Sequence, residues 1–316
     1  MATTRFPKDS GLATRMGITI FLIGLLYVVF IAILIALKIP LILLILIAGA
    51  LLFAQYFFSD RLALFSMNAK EVSPEQYPEL HAIVDRLCAL ADMKKPRIAV
   101  ANTDLPNAFA TGRNQDSSVL CATTGLLRRL NESELEGVLS HELSHVAHRD
   151  VAVMTIASFL GVLAGLITRF AYYAGIFGGF GVGGGGRGGR GGRGGNSQDN
   201  PIQFELAIIV VSAIVYVLSF ILVRTLSRYR ELSADRSGAI LTGKPSSLAS
   251  ALIKVTGDMG KIPTQDLRRA EPMNAFFFTP ALGGGTSISS LFSTHPSLEK
   301  RLEQLAKIET ELGQNR

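Results

Sequence analysis

Three of the five histidines in this sequence, His141, His145 and His148, fall within the stretch LSHELSHVAHRD. His141 and His145 are four residues apart, so on a helix they share one face, one turn apart, and both imidazoles can reach a single metal ion. Glu142 projects beside them, where a carboxylate can take a proton from a metal-bound water. Neutral imidazole suits zinc, and zinc lowers the pKa of its bound water to around 7. The H-E-x-x-H spacing is that of zinc-dependent peptide hydrolysis, and a chance match in a chain this long is expected on the order of once in a hundred. His148 lies outside the pattern and is expected at the surface or behind the ligands.

A catalytic zinc site needs three protein ligands and one open position. The third comes from a carboxylate or from His295. In SRYRELSADRSG, Glu231 and Asp235 are four residues apart and share a helix face. Glu231 offers a ligand oxygen, and Asp235 can accept a hydrogen bond from a ligating imidazole. The same spacing fits equally a solvated helix on which Arg228, Arg230 and Arg236 pair with the two acids. Spacing alone does not separate these readings.

The elements that must position these residues belong to a membrane protein. Hydrophobic residues make up 48% of the 316 residues and charged residues 18%, and the apolar ones concentrate in four blocks. Met16–Leu37 and Ile39–Phe58 carry no charge except the Lys38 between them, and each has about the 20 residues that cross a bilayer. Val151–Thr168 is followed by Arg169, Tyr172 and Tyr173 as interfacial anchors, and Ile202–Val223 carries only Glu205. The first block is too long for a signal peptide, lacks a small-residue cleavage site and is followed at once by another span. The expected fold is mainly α. It is a polytopic membrane protein with four transmembrane helices and a mostly helical, zincin-like cytoplasmic domain containing a small β element. Its expected segments are a cytoplasmic tail (1–15), an N-terminal hairpin (16–58), a catalytic region with H-E-x-x-H (59–150), a second hairpin (151–223) and a catalytic region with the third ligand (224–316).

Basic residues place the tail and the segment after Phe58 on the cytoplasmic side: Arg5, Lys8 and Arg15 in the first, Arg61 and Lys70 in the second. The net charge of +6 is explained by that topology and does not imply nucleic acid. The Gly/Arg-rich loop 178–200 cannot pack a core and reads as a flexible linker. An RNA-tethering role for its Arg187, Arg190 and Arg193 is the weaker alternative, and no nucleic-acid partner is expected. Cys88 and Cys121 sit in apolar contexts and read as buried thiols.

Within the first polar region, Ser73 and Pro74 open a helical pattern that runs to Met93. RIAVAN and SSVLCATT are short β-type runs separated by the turn-rich TDLPNAFATGRNQD. Asn131 and Glu134 form a capping pattern at the start of the motif helix, which is expected to end at Asp150. The C-terminal region reads as mostly helical, with a glycine loop at Gly283–Gly285.

The chain resembles the HtpX family of membrane zinc metalloproteases, relatives of the CAAX prenyl endopeptidases. The resemblance rests on NAFATG, TTGLL, HELSHVAHRD, SRYRELSAD and STHPSLEKRLEQL together with two hydrophobic hairpins, and covers nearly the whole length. It implies that His141, His145 and Glu231 bind one zinc ion per chain and that Glu142 is the catalytic base. It also implies an active site on the cytoplasmic face of the inner cell membrane and a stress-linked role in membrane protein quality control. In the family pattern His295, before Pro296, and the downstream Arg301 belong to the active-site surroundings.

Helical rise places the expected zinc within roughly 10 Å of the membrane surface, which favours membrane-bound or freshly extracted protein substrates. Asn107 in NAFATG is the polar residue best placed to hold substrate backbone, unless it only forms a turn beside Pro106. His295 and Arg301 are candidate donors to the developing oxyanion; otherwise His295 caps the last helix and Arg301 makes a surface ion pair. A zinc-stabilised membrane scaffold or holdase without proteolysis is the alternative function, and Glu142 discriminates, since a structural site has no use for a base.

Overall fold

Long apolar helices dominate the computed structural model, which describes residues 10–36, 41–179, 201–259 and 295–314. Helix α1 (Ser10–Ala36) is apolar on all sides and turns large side chains outward, Phe21 and Val28 each being 68% exposed. That is the surface of a helix whose solvent is lipid. Helices α2 (Leu41–Ser66), α6 (Asp150–Gly179) and α7 (Pro201–Thr242) share this character. Among the described residues, three helices are long and apolar enough to cross a membrane, or four if α2, bent by 71° near Phe58, counts as one span. α1, α2, α6 and α7 pack around Phe30, Leu34, Ala48, Leu163, Ala164, Ile167 and Val215.

Helix α7 decides the architecture. Its 42 residues extend about 63 Å at helical rise, twice the roughly 30 Å of a hydrocarbon core. One unbroken helix therefore carries the chain out of the apolar layer and into the polar domain, bringing Glu231 and Asp235 with it.

The polar domain is built on a four-stranded sheet in the order β1 (Ala69–Glu71), β2 (Arg97–Ala101), β4 (Val119–Thr123), β3 (Ala108–Thr111). β2 and β4 are parallel; the outer pairs are antiparallel. Strand alternation sorts the residues by face. Ile98, Val100, Ala108, Leu120 and Ala122 join the main core with α3 (Pro78–Ala91), the motif helix α5 (Glu132–Ala147), α8 (Pro245–Met259) and α9 (Leu298–Gln314). Ala99, Ala101, Phe109, Val119 and Cys121 face the other way and are covered by Ala63 and Met67 from the end of α2. Short α4 (Thr124–Arg129) leads from β4 towards α5 and is capped by the Thr123 hydroxyl.

Several boundaries differ from the sequence expectation. Helix α3 starts at Pro78, not near Ser73, because Pro78 provides the preset first-turn conformation while Ser73 is held in a turn by Gln76. The turn-rich stretch contains β3, in which Phe109 and Thr111 favour extended backbone and the strand pairs antiparallel with β4. The motif helix does not end at Asp150. It ends at Ala147, Arg149 adopts a left-handed φ of 55°, and Asp150 is the first residue of α6. Helix α2 continues past Phe58 to Ser66. Cys88 and Cys121 are buried free thiols, and burial raises them to about 11 and about 12. The first nine residues, residues 180–200 of the Gly/Arg-rich loop and the glycine loop at 283–285 lie outside the described residues.

Candidate active site

The motif helix is fastened before it reaches the site. Asn131 accepts from the Glu134 N–H while the Glu134 carboxylate accepts from the Asn131 N–H, which satisfies donors that a helix start leaves orphaned. Glu134 also accepts from Ser250 and Lys254 on α8. Further along, α7 crosses α5 in close contact, and Gly238 makes that possible. A Cβ there would lie 2.8 Å from Ser140 Oγ and 2.9 Å from the His141 backbone nitrogen.

This crossing brings three donor groups together. His141 Nε2 and His145 Nε2 are 3.2 Å apart. Glu231 Oε2 is 3.6 Å from His141 Nε2, and Glu231 Oε1 is 3.5 Å from His145 Nε2. Among the described residues these three form a group able to hold a metal ion. Tetrahedral zinc with bonds of about 2.0–2.1 Å sets its donors about 3.3 Å apart, so the spacing fits that ion. Glu231 is 8% exposed and Asp235 0%, so their helix face is not solvated.

Each imidazole has its own carboxylate behind it. Asp235 Oδ1 lies 2.8 Å from His141 Nδ1, and Asp150 Oδ2 lies 2.6 Å from His145 Nδ1. Accepting from Nδ1–H leaves each Nε2 with a lone pair aimed at the common point. Burial disfavours charge on both rings. At His145 it prevails and the pKa is lowered; at His141 the Asp235 carboxylate outweighs it and raises the pKa to about 9 in the absence of a metal charge, so a metal ion bound there would displace the Nε2 proton. The supports are themselves anchored. Arg301 is buried and donates to both Asp235 oxygens, at 2.7 Å each. Arg230 pairs with Asp150 and donates to the His148 carbonyl at 3.2 Å.

Glu142 is buried beside the pair, and burial raises its pKa above the ordinary carboxylate value. Its Oε2 accepts from the Ala110 N–H at 3.0 Å. Ala110 is on β3, the sheet's outer strand, and this N–H points away from β4 towards α5. His295 Nδ1 is 3.0 Å from Glu231 Oε2, so the segment before α9 closes on the site. Asn107 is buried at the foot of β3, with its N–H on the Thr123 hydroxyl and its carbonyl accepting the Thr123 N–H. His148 caps α5, and burial with nearby Arg230 lowers it to about 4.

The sequence-derived residues His141, Glu142, His145, Glu231, Asp235, His295 and Arg301 thus gather in one place, with Asn107 at the base of the adjacent strand. Arg301 is an interior residue rather than half of a surface ion pair. Asp150, Arg230 and the Ala110 N–H were missed. A carboxylate five residues beyond His145 was the one visible sign of Asp150, and helical spacing does not point to it because the helix breaks in between.

A model of peptidase family M48 matches residues 74–309. Curated relatives include Protease HtpX homolog 1 of Streptomyces coelicolor, 57% identical over 98% of this chain and 97% of the relative. Protease HtpX homolog of Moorella thermoacetica is 50% identical over 98% of both chains. Among solved structures, the crystal structure of S. mikatae Ste24p superposes with a TM-score of 0.52 at 17% identity, covering 94% of this chain and 67% of that one. At that identity the likeness concerns the fold.

Proposed function

Since the chain belongs to peptidase family M48, and is therefore a metalloprotease, we propose that it is a membrane-embedded zinc endopeptidase that cleaves membrane-bound or misfolded proteins at the cytoplasmic face of the inner membrane, in membrane protein quality control. The observation that carries this reading is the convergence of His141, His145 and Glu231 beside a buried Glu142 that touches the sheet's outer strand.

In this reading His141, His145 and Glu231 hold one zinc ion per chain, and Asp235 and Asp150 keep the two rings turned inward. When bound, zinc supplies Lewis-acid polarisation of the scissile carbonyl and acidifies the attacking water. Glu142 takes that water's proton and passes it to the leaving amine. The outer edge of β3 receives substrate as an added strand, with Asn107 positioning the start of that edge. His295 is the donor to the developing oxyanion. Arg301 acts through Asp235, since two of its nitrogens are already engaged there.

Glu142→Gln should keep zinc and fold yet lose turnover by about 10²-fold or more. Comparing membrane-protein fragments in cells carrying wild-type and Glu142→Gln protein would then name the substrates. Fragments unchanged between the two, with purified wild type also inactive, would reject proteolysis. Orientation is tested by impermeant thiol labelling of intact cells: Lys70→Cys should stay protected and Arg190→Cys should label, whereas labelling at position 70 would place the site outside.

A further inference from the structure

The end of α2 carries a feature that the catalytic reading does not use. The helix runs as an apolar segment, Ile45–Phe58, then turns by 71° into Asp60–Ser66. The short second segment is two-faced. Ala63 and Met67 are buried under the sheet against Ala99, Ala101, Phe109, Val119 and Cys121. On the opposite side Phe65 is 87% exposed and Leu62 54%. In water an exposed phenylalanine and leucine beneath a sheet would forgo the favourable burial of their apolar surface.

We propose that this elbow lies in the bilayer interface, with Phe65 and Leu62 inserted among the lipid chains, so that the sheet rests on the membrane surface. Two observations point to lipid on this face, and a third fixes its orientation. First, it is continuous with a membrane span: a segment turned 71° from a span along the bilayer normal lies close to the membrane plane. Second, the span ends in an aromatic and cationic belt, as membrane-interface positions do. Arg61 stands over the Phe58 ring at 6.0 Å and Arg113 over the Phe57 ring at 4.9 Å. Third, the elbow is packed on the sheet through buried Ala63 and Met67, and Asp60 pairs with Arg97 of β2 at 2.7 Å, which fixes the side that faces outward. The same belt holds the exit of β3. Gly112, with φ of 126° and no room for a Cβ beside Ser118, turns the chain so that Arg113 lands on the span. The outer strand next to Glu142 is thereby pinned at the depth of the headgroups. Interfacial segments of this kind bind by buried apolar area plus attraction of cations to lipid phosphates.

The chain contains no tryptophan, so one introduced indole reports its own surroundings. Phe65→Trp and Leu62→Trp should each give blue-shifted emission that is quenched severalfold in bilayers of phospholipid brominated on its acyl chains. Leu90→Trp on α3, at a position 45% exposed on the far side of the sheet, should show neither effect. Equal quenching at positions 65 and 90 would overturn the proposal. Blue-shifted but unquenched emission at position 65 would mean that protein covers it, and would overturn the lipid assignment equally. The substitutions preserve aromatic or apolar bulk, and the Leu90 variant controls for reconstitution. The result does not depend on turnover, so it stands or falls separately from the proteolytic reading.

Discussion

Asp150 Oδ2 sits 2.6 Å from His145 Nδ1 although the two residues belong to different helices, one the motif helix and the other a membrane span. The span's first residue thus orients an imidazole of the candidate metal site. Asp150→Asn keeps the shape but removes the charge that fixes the ring. It should weaken zinc affinity by about 10–100-fold, measured by chelator competition. The cobalt-substituted protein should show an altered visible spectrum. An unchanged zinc affinity would reduce Asp150 to a helix-start residue held by Arg230.

His295 approaches Glu231, so a role on the metal and a role on the substrate must be told apart. His295→Ala should retain zinc and lower turnover by roughly 10²-fold, the usual loss for one oxyanion donor. Zinc content and turnover measured on one preparation decide it. Lost zinc would make His295 a ligand, and unchanged turnover would leave it a packing residue.

Gly238 tests whether the close crossing of α5 and α7 builds the site. In a helix interior Gly→Ala is ordinarily favourable by about 0.8–1.0 kcal/mol. At position 238 the new methyl would meet the His141 backbone at 2.9 Å, and overpacking of this kind costs about 1–3 kcal/mol. Gly238→Ala should therefore lower the thermal midpoint and weaken zinc binding together. Gly257→Ala on α8, where nothing lies within 4 Å, should leave zinc binding unchanged and not lower the midpoint. Equal behaviour of the two variants would refute the argument.

Glu134 links the start of α5 to α8, and the sign of its pH dependence follows from its pKa. Burial acts to raise that pKa, but Lys254, Ser250 and the Asn131 N–H outweigh it and the net shift is downward. A carboxyl depressed in the folded state adds stability above its unfolded pKa and loses it as the pH falls through the folded value. Wild type should melt higher than Glu134→Gln at pH 7. The gap should begin to close below the ordinary glutamate range, about pH 4.3, and vanish at lower pH. A gap independent of pH would assign the effect to the cap's geometry rather than its charge.

Much of the site was legible in the chain because its parts are local. His141, Glu142 and His145 fall on one helix turn, and Glu231 with Asp235 on another. Helical periodicity puts His141 with His145, and Glu231 with Asp235, on one face each, but spacing leaves the second pair undecided and only the family resemblance names Glu231 as a ligand. The apolar blocks announce the membrane helices by length and composition. What periodicity cannot express is how separate elements meet. The Asp150 contact exists because Arg149 turns the chain into the left-handed region between two helices. Arg301 stands open between the cleft and a surface ion pair until α9 docks it onto Asp235. Which edge β3 pairs with is decided by β4, not by the residues of β3. The 71° bend that lays Phe65 outward is invisible in the sequence, where the apolar block simply ends at Phe58. The sequence by itself determined the chemistry that is available, since residue type and helical spacing suffice for that. Only the tertiary structure decided which carboxylate supports which imidazole and which backbone N–H meets Glu142, because those distances depend on the packing of elements far apart in the chain.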